Sequence, residues 1–219
     1  FGEEFEGEID YTPVYTTRSG PDPEAVKSAA RVLMEAKRPV IYAGQGVHYA
    51  EAWPQLKELA LLMGSPVTTS LEGKSAFPEN HPLSLGSGGR SMPRTVHEFL
   101  QNSDVIFGIG CSFTSTNFGV TMPKGKTIVH STLDPMDLNK NQVSQYALVG
   151  DAMLTLDALI AEMKAQGQTP PNTSAVEKEI ADMKATWMAE WMPKLTCPDA
   201  PLNPYRVLWD LNNTVDRPN

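Results

Sequence analysis

Positive charge is scarce in this chain, and the shortage narrows what it can do. Its 18 Lys and Arg stand against 26 Asp and Glu, a formal net charge of −8. That balance argues against a nucleic-acid backbone or an anionic membrane surface as partner. Cysteine is nearly absent: Cys111 and Cys197 form neither a disulfide framework nor a metal-ligand pattern. The four histidines, His48, His81, His97 and His130, fall in separate segments with no two at ligand spacing. No apolar run approaches the roughly 20 residues that a spanning helix needs. The acidic opening FGEEFEGEID lacks the basic start of a signal peptide. No Walker loop and no Ser/His/Asp set is visible. A cytoplasmic protein with no nucleic-acid or membrane partner is the expectation.

What is present is an alternation of strands and helices. Asp22-Pro23 reads as a helix cap and first helical position, and Val26, Ala29, Ala30, Leu33 and Met34 then recur at helical spacing, giving a helix over about 22–37. PVIYA (39–43) is a short apolar run stopped by glycine, a buried parallel strand. Helical spacing returns over 51–63 and ends at Gly64. SPVTTS (65–70), DVIFGIG (104–110), TIVHSTL (127–133) and YALVGD (146–151) read as further strands. Helices are expected over 93–102 and after Asp151. The stretch 72–89 reads as a long irregular excursion, a kind usually tied to function. This rhythm means right-handed crossovers, and a doubly wound α/β fold: a parallel sheet of five to six strands with helices on both faces.

After Gly167 the pattern changes. Ser174-x-x-Glu177 is a capping box opening a helix whose apolar stripe is Val176, Ile180, Met183 and Trp187. A second helix over 204–212 presents Val207, Leu208 and Leu211. This helical tail is expected to be the least stable part, its apolar stripe meeting domains outside the chain. The implied organisation is a linker at 1–21, a nucleotide-binding-like α/β domain at 22–167 and a helical linker at 168–219.

The candidate site lies at the strand ends, where open α/β sheets bind ligands. Gly44-Gln45-Gly46 follows a strand and precedes a helix, so its backbone suits either a plain tight turn or a phosphate contact. The full dinucleotide fingerprint fails, because Tyr49 stands where its third glycine belongs. Ser70 and Leu71, Gly110 and Ser112, Asp134, and Asp151 end the other strands. Gly89 and Arg90 add flexible backbone and a guanidinium suited to phosphate. His130 lies within a strand, and Cys111 has no base placed beside it by sequence. On its residues alone the chain reads as a binding domain.

The ordered strings RPVIYAGQGV, PVTTSLEGKSAFPENHPLSLG, SDVIFGIGCSF, LDPMDLNKN and VGDAMLTLDAL resemble the middle domain of thiamine-diphosphate-dependent enzymes, especially the acetolactate synthase large subunit group. FEGEID and LNPYRVLWDL look like the links to that family's first and third domains. The resemblance implies a 2-oxo acid carboligase or decarboxylase, a homodimer or homotetramer. Its thiamine diphosphate and Mg²⁺ sit between the first and third domains of partnered subunits. The first domain supplies an activating glutamate, and the third a Gly-Asp-Gly…Asn motif. Neither occurs here, since Gly150-Asp151-Ala152 lacks the continuation, so an excised middle domain that is not catalytic alone and does not bind thiamine diphosphate is expected. The family's middle domain holds FAD, ADP or nothing. FAD-binding members carry three glycines at Gly44-Gln45-Gly46 and Gly-Ala-Arg-Phe-Asp-Asp-Arg at 110–116, where this chain has GCSFTST. A usual histidine maps to Ser91. FAD is therefore not expected, and ADP is the better candidate, through Gly44, Gly46 and Arg90. The rival reading is a free-standing nucleotide-binding module. A sirtuin-like NAD enzyme is excluded because two cysteines cannot build its four-thiolate zinc site.

Overall fold

In the computed structural model, residues 7, 11–13 and 17–215 are described. Six strands, β1 (Pro39–Ala43), β2 (Val67–Thr69), β3 (Ser84–Ser87), β4 (Val105–Ile109), β5 (Thr127–Thr132) and β6 (Tyr146–Val149), form one sheet. Their order is β3-β2-β1-β4-β5-β6 and every pairing is parallel. The helices are α1 (Pro23–Glu35), α2 (Gly46–Tyr49), α3 (Trp53–Met63), α4 (Arg94–Asn102), α5 (Ala152–Ala165), α6 (Ser174–Leu195) and α7 (Pro204–Thr214), with one 3-10 turn at Pro135–Asp137.

Strand periodicity divides the core in two. Ile41 and Ala43 of β1, with Val105, Phe107 and Ile109 of β4, point to the face covered by α1, α3 and α5. Val40 and Tyr42, with Ile106, point to the opposite face under α4 and α6. The doubly wound α/β expectation holds, with its helices on both faces.

Local chemistry fixes the element ends. Asp22 caps α1 by accepting the N–H groups of Glu24 and Ala25, each at 3.0 Å. Asp151 caps α5 through Met153 at 3.0 Å and Leu154 at 3.2 Å. Gly64 ends α3 at φ 61, a left-handed conformation costly for other residues.

Several elements depart from the sequence reading. The excursion at 72–89 contains a strand, β3, pairing with β2 through Val67, Thr68 and Thr69. Its sequence SLGS lacks β-branched residues and carries a glycine, so propensity hid it, while sheet pairing and the burial of Leu85 hold it. The turn after β1 opens a four-residue helix of its own before α3. The capping residue of α6 is Thr173, whose hydroxyl donates to the Glu177 carboxylate at 2.6 Å, one position earlier than the capping box placed it.

The tail is only half undocked. Ile180 is 1% exposed and belongs to the second core, with Val176 and Met183 packed around it. The Lys184 ammonium donates to the Ser84 carbonyl at 2.6 Å, and Arg38 pairs with Glu179 at 2.9 Å. Beyond Lys184 the side chains of the helix turn to α7 instead. Trp187 stacks on Trp191 at 5.4 Å, and Trp191 meets Tyr205 of α7 edge-on at 5.1 Å. The outer face of α7, with Val207, Leu208 and Leu211, stays exposed. Among the described residues, no helix is long and apolar enough to cross a membrane.

Candidate functional site

The strand order reverses between β1 and β4, and the loops leaving their C-terminal ends part there. They enclose a cleft of about 580 Å³, within the range of small-molecule sites. Gly44, Gln45, Gly46, Ser70, Leu71, Gly110, Ser112, Asp134 and Asp151 all line it. Gly89 and Arg90 do not. A Cβ on Gly89 would meet the Leu71 side chain at 3.1 Å, and Arg90 is exposed, its backbone N–H given to the Phe118 carbonyl at 2.9 Å.

The glycines serve an internal close approach. A Cβ on Gly44 would come within 2.3 Å of the Gly110 carbonyl oxygen, and one on Gly46 within 2.7 Å of the Gly110 Cα. Gly110 itself stands at φ +60. The turns after β1 and β4 therefore touch backbone to backbone, which side chains would prevent. This contact also consumes the amides. Gly44 donates to Ile109 at 2.9 Å, Gly46 to Gly110 at 2.8 Å, Val47 to Gly44 at 3.2 Å and His48 to Gln45 at 2.9 Å. The expectation that the two glycines hold their N–H groups open to a phosphate is corrected. They are tied to the protein's own carbonyls.

Sequence reasoning missed the aromatic floor. Phe113, at φ +48, lays its ring directly over Gly108, where a Cβ would meet it at 2.3 Å. The ring stacks on Tyr42 with centroids 5.7 Å apart and meets His130 edge-on at 4.7 Å. A glycine inside the otherwise apolar strand VIFGI was the available signal, since it marks a close approach to the sheet.

His130 and Cys111 meet here, but not as base and nucleophile. A carbonyl only accepts, so His130 Nε2–H donates to the Cys111 backbone oxygen at 2.7 Å, fixing the tautomer. Its Nδ1 is buried without a partner. Burial lowers the pKa of the imidazole and pushes the Cys111 thiol well up. Neutral imidazole and protonated thiol are the resting forms at neutral pH. A thiol held protonated is a poor nucleophile.

The cleft's charge is one-sided. Glu72, Asp134, Asp137 and Asp151 line it, and among its described lining residues there is no Lys or Arg. Two of the acids have cations behind them: Arg18 is 3.7 Å from Asp151, and Lys140 is 3.9 Å from Asp137. Asp134 accepts the Met136 N–H at 2.9 Å, capping the 3-10 turn as Asp151 caps α5. No group of His, Cys, Asp and Glu among the described residues is arranged to hold a metal ion.

A six-stranded parallel sheet in this order, with a cleft at the reversal, defines a doubly wound α/β domain of the dinucleotide-fold type. Within that class, residues 26–159 match the family of the thiamine pyrophosphate enzyme central domain, and the chain belongs to it. A probable acetolactate synthase large subunit from Methanocaldococcus jannaschii is 34% identical over 214 residues, covering 93% of this chain and 34% of its own length. The acetolactate synthase of Mycobacterium bovis is 34% identical over 155 residues, 69% of this chain and 25% of its own. The chain thus spans about a third or less of the length of these relatives. Benzoylformate decarboxylase from Polynucleobacter necessarius superposes with a TM-score of 0.60 at 24% identity, over 78% of this chain and 32% of that one, a likeness of fold.

Proposed function

We propose that this chain is the central domain of a thiamine-diphosphate-dependent enzyme that joins or decarboxylates 2-oxo acids, resembling acetolactate synthase. Its own role is architectural. The observation that carries this reading is the match to the Methanocaldococcus jannaschii relative, along 93% of this chain but only 34% of that protein. The remaining two thirds of such a protein would hold thiamine diphosphate with Mg²⁺, and the assembly would be a homodimer or homotetramer. The chemistry of the cleft agrees with a non-catalytic part. Two of its carboxylates, Asp134 and Asp151, are spent on caps, and its thiol is held protonated by burial. Two free cysteines suit a reducing cytoplasm.

The test compares this chain with a protein of the relatives' length that contains it. The chain alone, given thiamine diphosphate, Mg²⁺ and pyruvate, should release no carbon dioxide, form no acetolactate and show no saturable heat of thiamine diphosphate binding. The longer protein should turn over a 2-oxo acid. Turnover by the chain alone, or a longer protein inert towards every 2-oxo acid tried, would overturn the reading.

A further inference from the structure

We infer that the cleft has lost the capacity to hold a nucleoside diphosphate of any kind, ADP included, and that its charge now repels one. The inference concerns the cleft alone and holds whichever reaction the longer protein performs. A diphosphate needs two things from a strand-end crevice of this type: backbone N–H groups free to point at it, and a cation to balance its oxygens.

Among the described residues the lining holds no Lys or Arg, and the turn after β1 has spent most of its amides. The N–H groups of Gly44, Gly46, Val47 and His48 all end on backbone carbonyls, Gly44 on the last residue of β4 and the others within the two turns. In that turn the Gln45 N–H remains, and neutral donors without a cation do not offset a charge of −2 or more. The helix that follows is four residues long, too short for a useful dipole.

The cations stand elsewhere. Arg90 lies outside the lining, and Arg18 and Lys140 are drawn to Asp151 and Asp137. Lys74, two residues after Glu72, is paired with Glu79. Glu72 and Asp134 are exposed on the lining with no cation within ion-pair distance among the described residues. A ligand phosphate entering here meets two uncompensated carboxylates. Phe113 covers the floor, stacked on Tyr42.

The experiment follows the cleft amides by NMR while ADP or FAD is added to this chain and to a Glu72→Gln/Asp134→Asn variant. Both positions are exposed, and Asn keeps the cap at 134, so the fold is not at risk. The wild-type chain should bind ADP and FAD no tighter than about 1 mM. The variant should bind ADP about tenfold more tightly, the order expected from removing two negative charges beside a polyanion under a largely aqueous dielectric. Micromolar ADP or FAD binding by the wild-type chain would overturn the inference. So would a variant that binds ADP no better than the wild type. Activity of the longer protein enters neither arm, so this result is separate from the turnover test above.

Discussion

Replacing Ile180 with Ala tests whether the first half of α6 is part of the folded body. Ile180 is 1% exposed and sits among Val40, Leu100 and Ile106 in the second core. Truncating a buried Ile to Ala costs about 2–5 kcal/mol through lost transfer energy and the cavity left behind. A peripheral helix can collapse partly into that space, and Ala is the better helix former by a few tenths of a kcal/mol. The lower part of the range, about 2–3 kcal/mol, is expected. A chain of this size shifts its melting midpoint by about 2–4 °C per kcal/mol, so the fall should be roughly 4–12 °C. If the loss exceeds what docks α6, the helix detaches first. Fluorescence from Trp187, Trp191 and Trp209 would then change at lower temperature than circular dichroism of the sheet. Leu208→Ser is the control, since Leu208 is 62% exposed and should shift the midpoint by less than 1 °C. Trp187→Ser should fall between them. Trp187 is 37% exposed, its ring stacked on Trp191. A change under 1 °C for Ile180→Ala, or equal changes for Ile180→Ala and Leu208→Ser, would refute the docking of α6.

Gly110→Ala should cost about 2–5 kcal/mol by urea denaturation, because it adds a left-handed side chain and drives a Cβ to 2.7 Å from the Val47 nitrogen. Gly125→Ala, at φ +76 with nothing within 4 Å, should cost only about 1–2 kcal/mol, and equal losses at both glycines would dismiss the close approach. Asp104 receives the backbone N–H groups of Lys37 at 2.7 Å, Arg38 at 2.9 Å and Val105 at 2.9 Å. Partial burial alone would raise its pKa, but these donors together outweigh it and lower the value below 3.8. Its contribution is therefore whole above pH 3.8 and is lost as pH falls through the depressed folded value. Asp104→Ala should cost about 1–2 kcal/mol near neutrality, with the difference from wild type shrinking in acid. A gap that stays constant down to pH 2 would contradict this.

The strands with apolar, β-branched runs were legible because PVIYA and DVIFGIG satisfy both propensity and burial. β3 was not, since SLGS is held by pairing to β2 and by Leu85 beneath it, which are tertiary facts. The same division runs through the site. Gly44, Gly46 and Gly110 could be singled out because glycine after a strand is a visible mark, but not which backbone they approach. That each faces the other across the reversal of strand order, and so spends its N–H groups, depends on a contact more than sixty residues apart. Asp134 and Asp151 were visible as strand-end acids, while the pairing of Asp151 with Arg18 and the lack of any cation beside Asp134 among the described residues are properties of the assembled cleft. The tail stripe reads as one unit in the sequence. Ile180 and Trp187 lie on the same face of α6, but Ile180 packs in the second core while Trp187 stacks on Trp191.

The strand order also sets the sequence of events in synthesis. β1 is the centre of the sheet, paired with β2 on one side and β4 on the other. As the chain emerges, β1, β2 and β3 are complete some twenty residues before β4 exists. The half-sheet must wait with the apolar edge of β1 unpaired. Such an edge is a template for pairing with another nascent copy. Closure comes when β4 arrives and its turn settles Gly110 against Gly44 and Gly46. The glycine contact thus latches the two halves of the sheet together, and its variants should be lost to inclusion bodies out of proportion to their equilibrium cost.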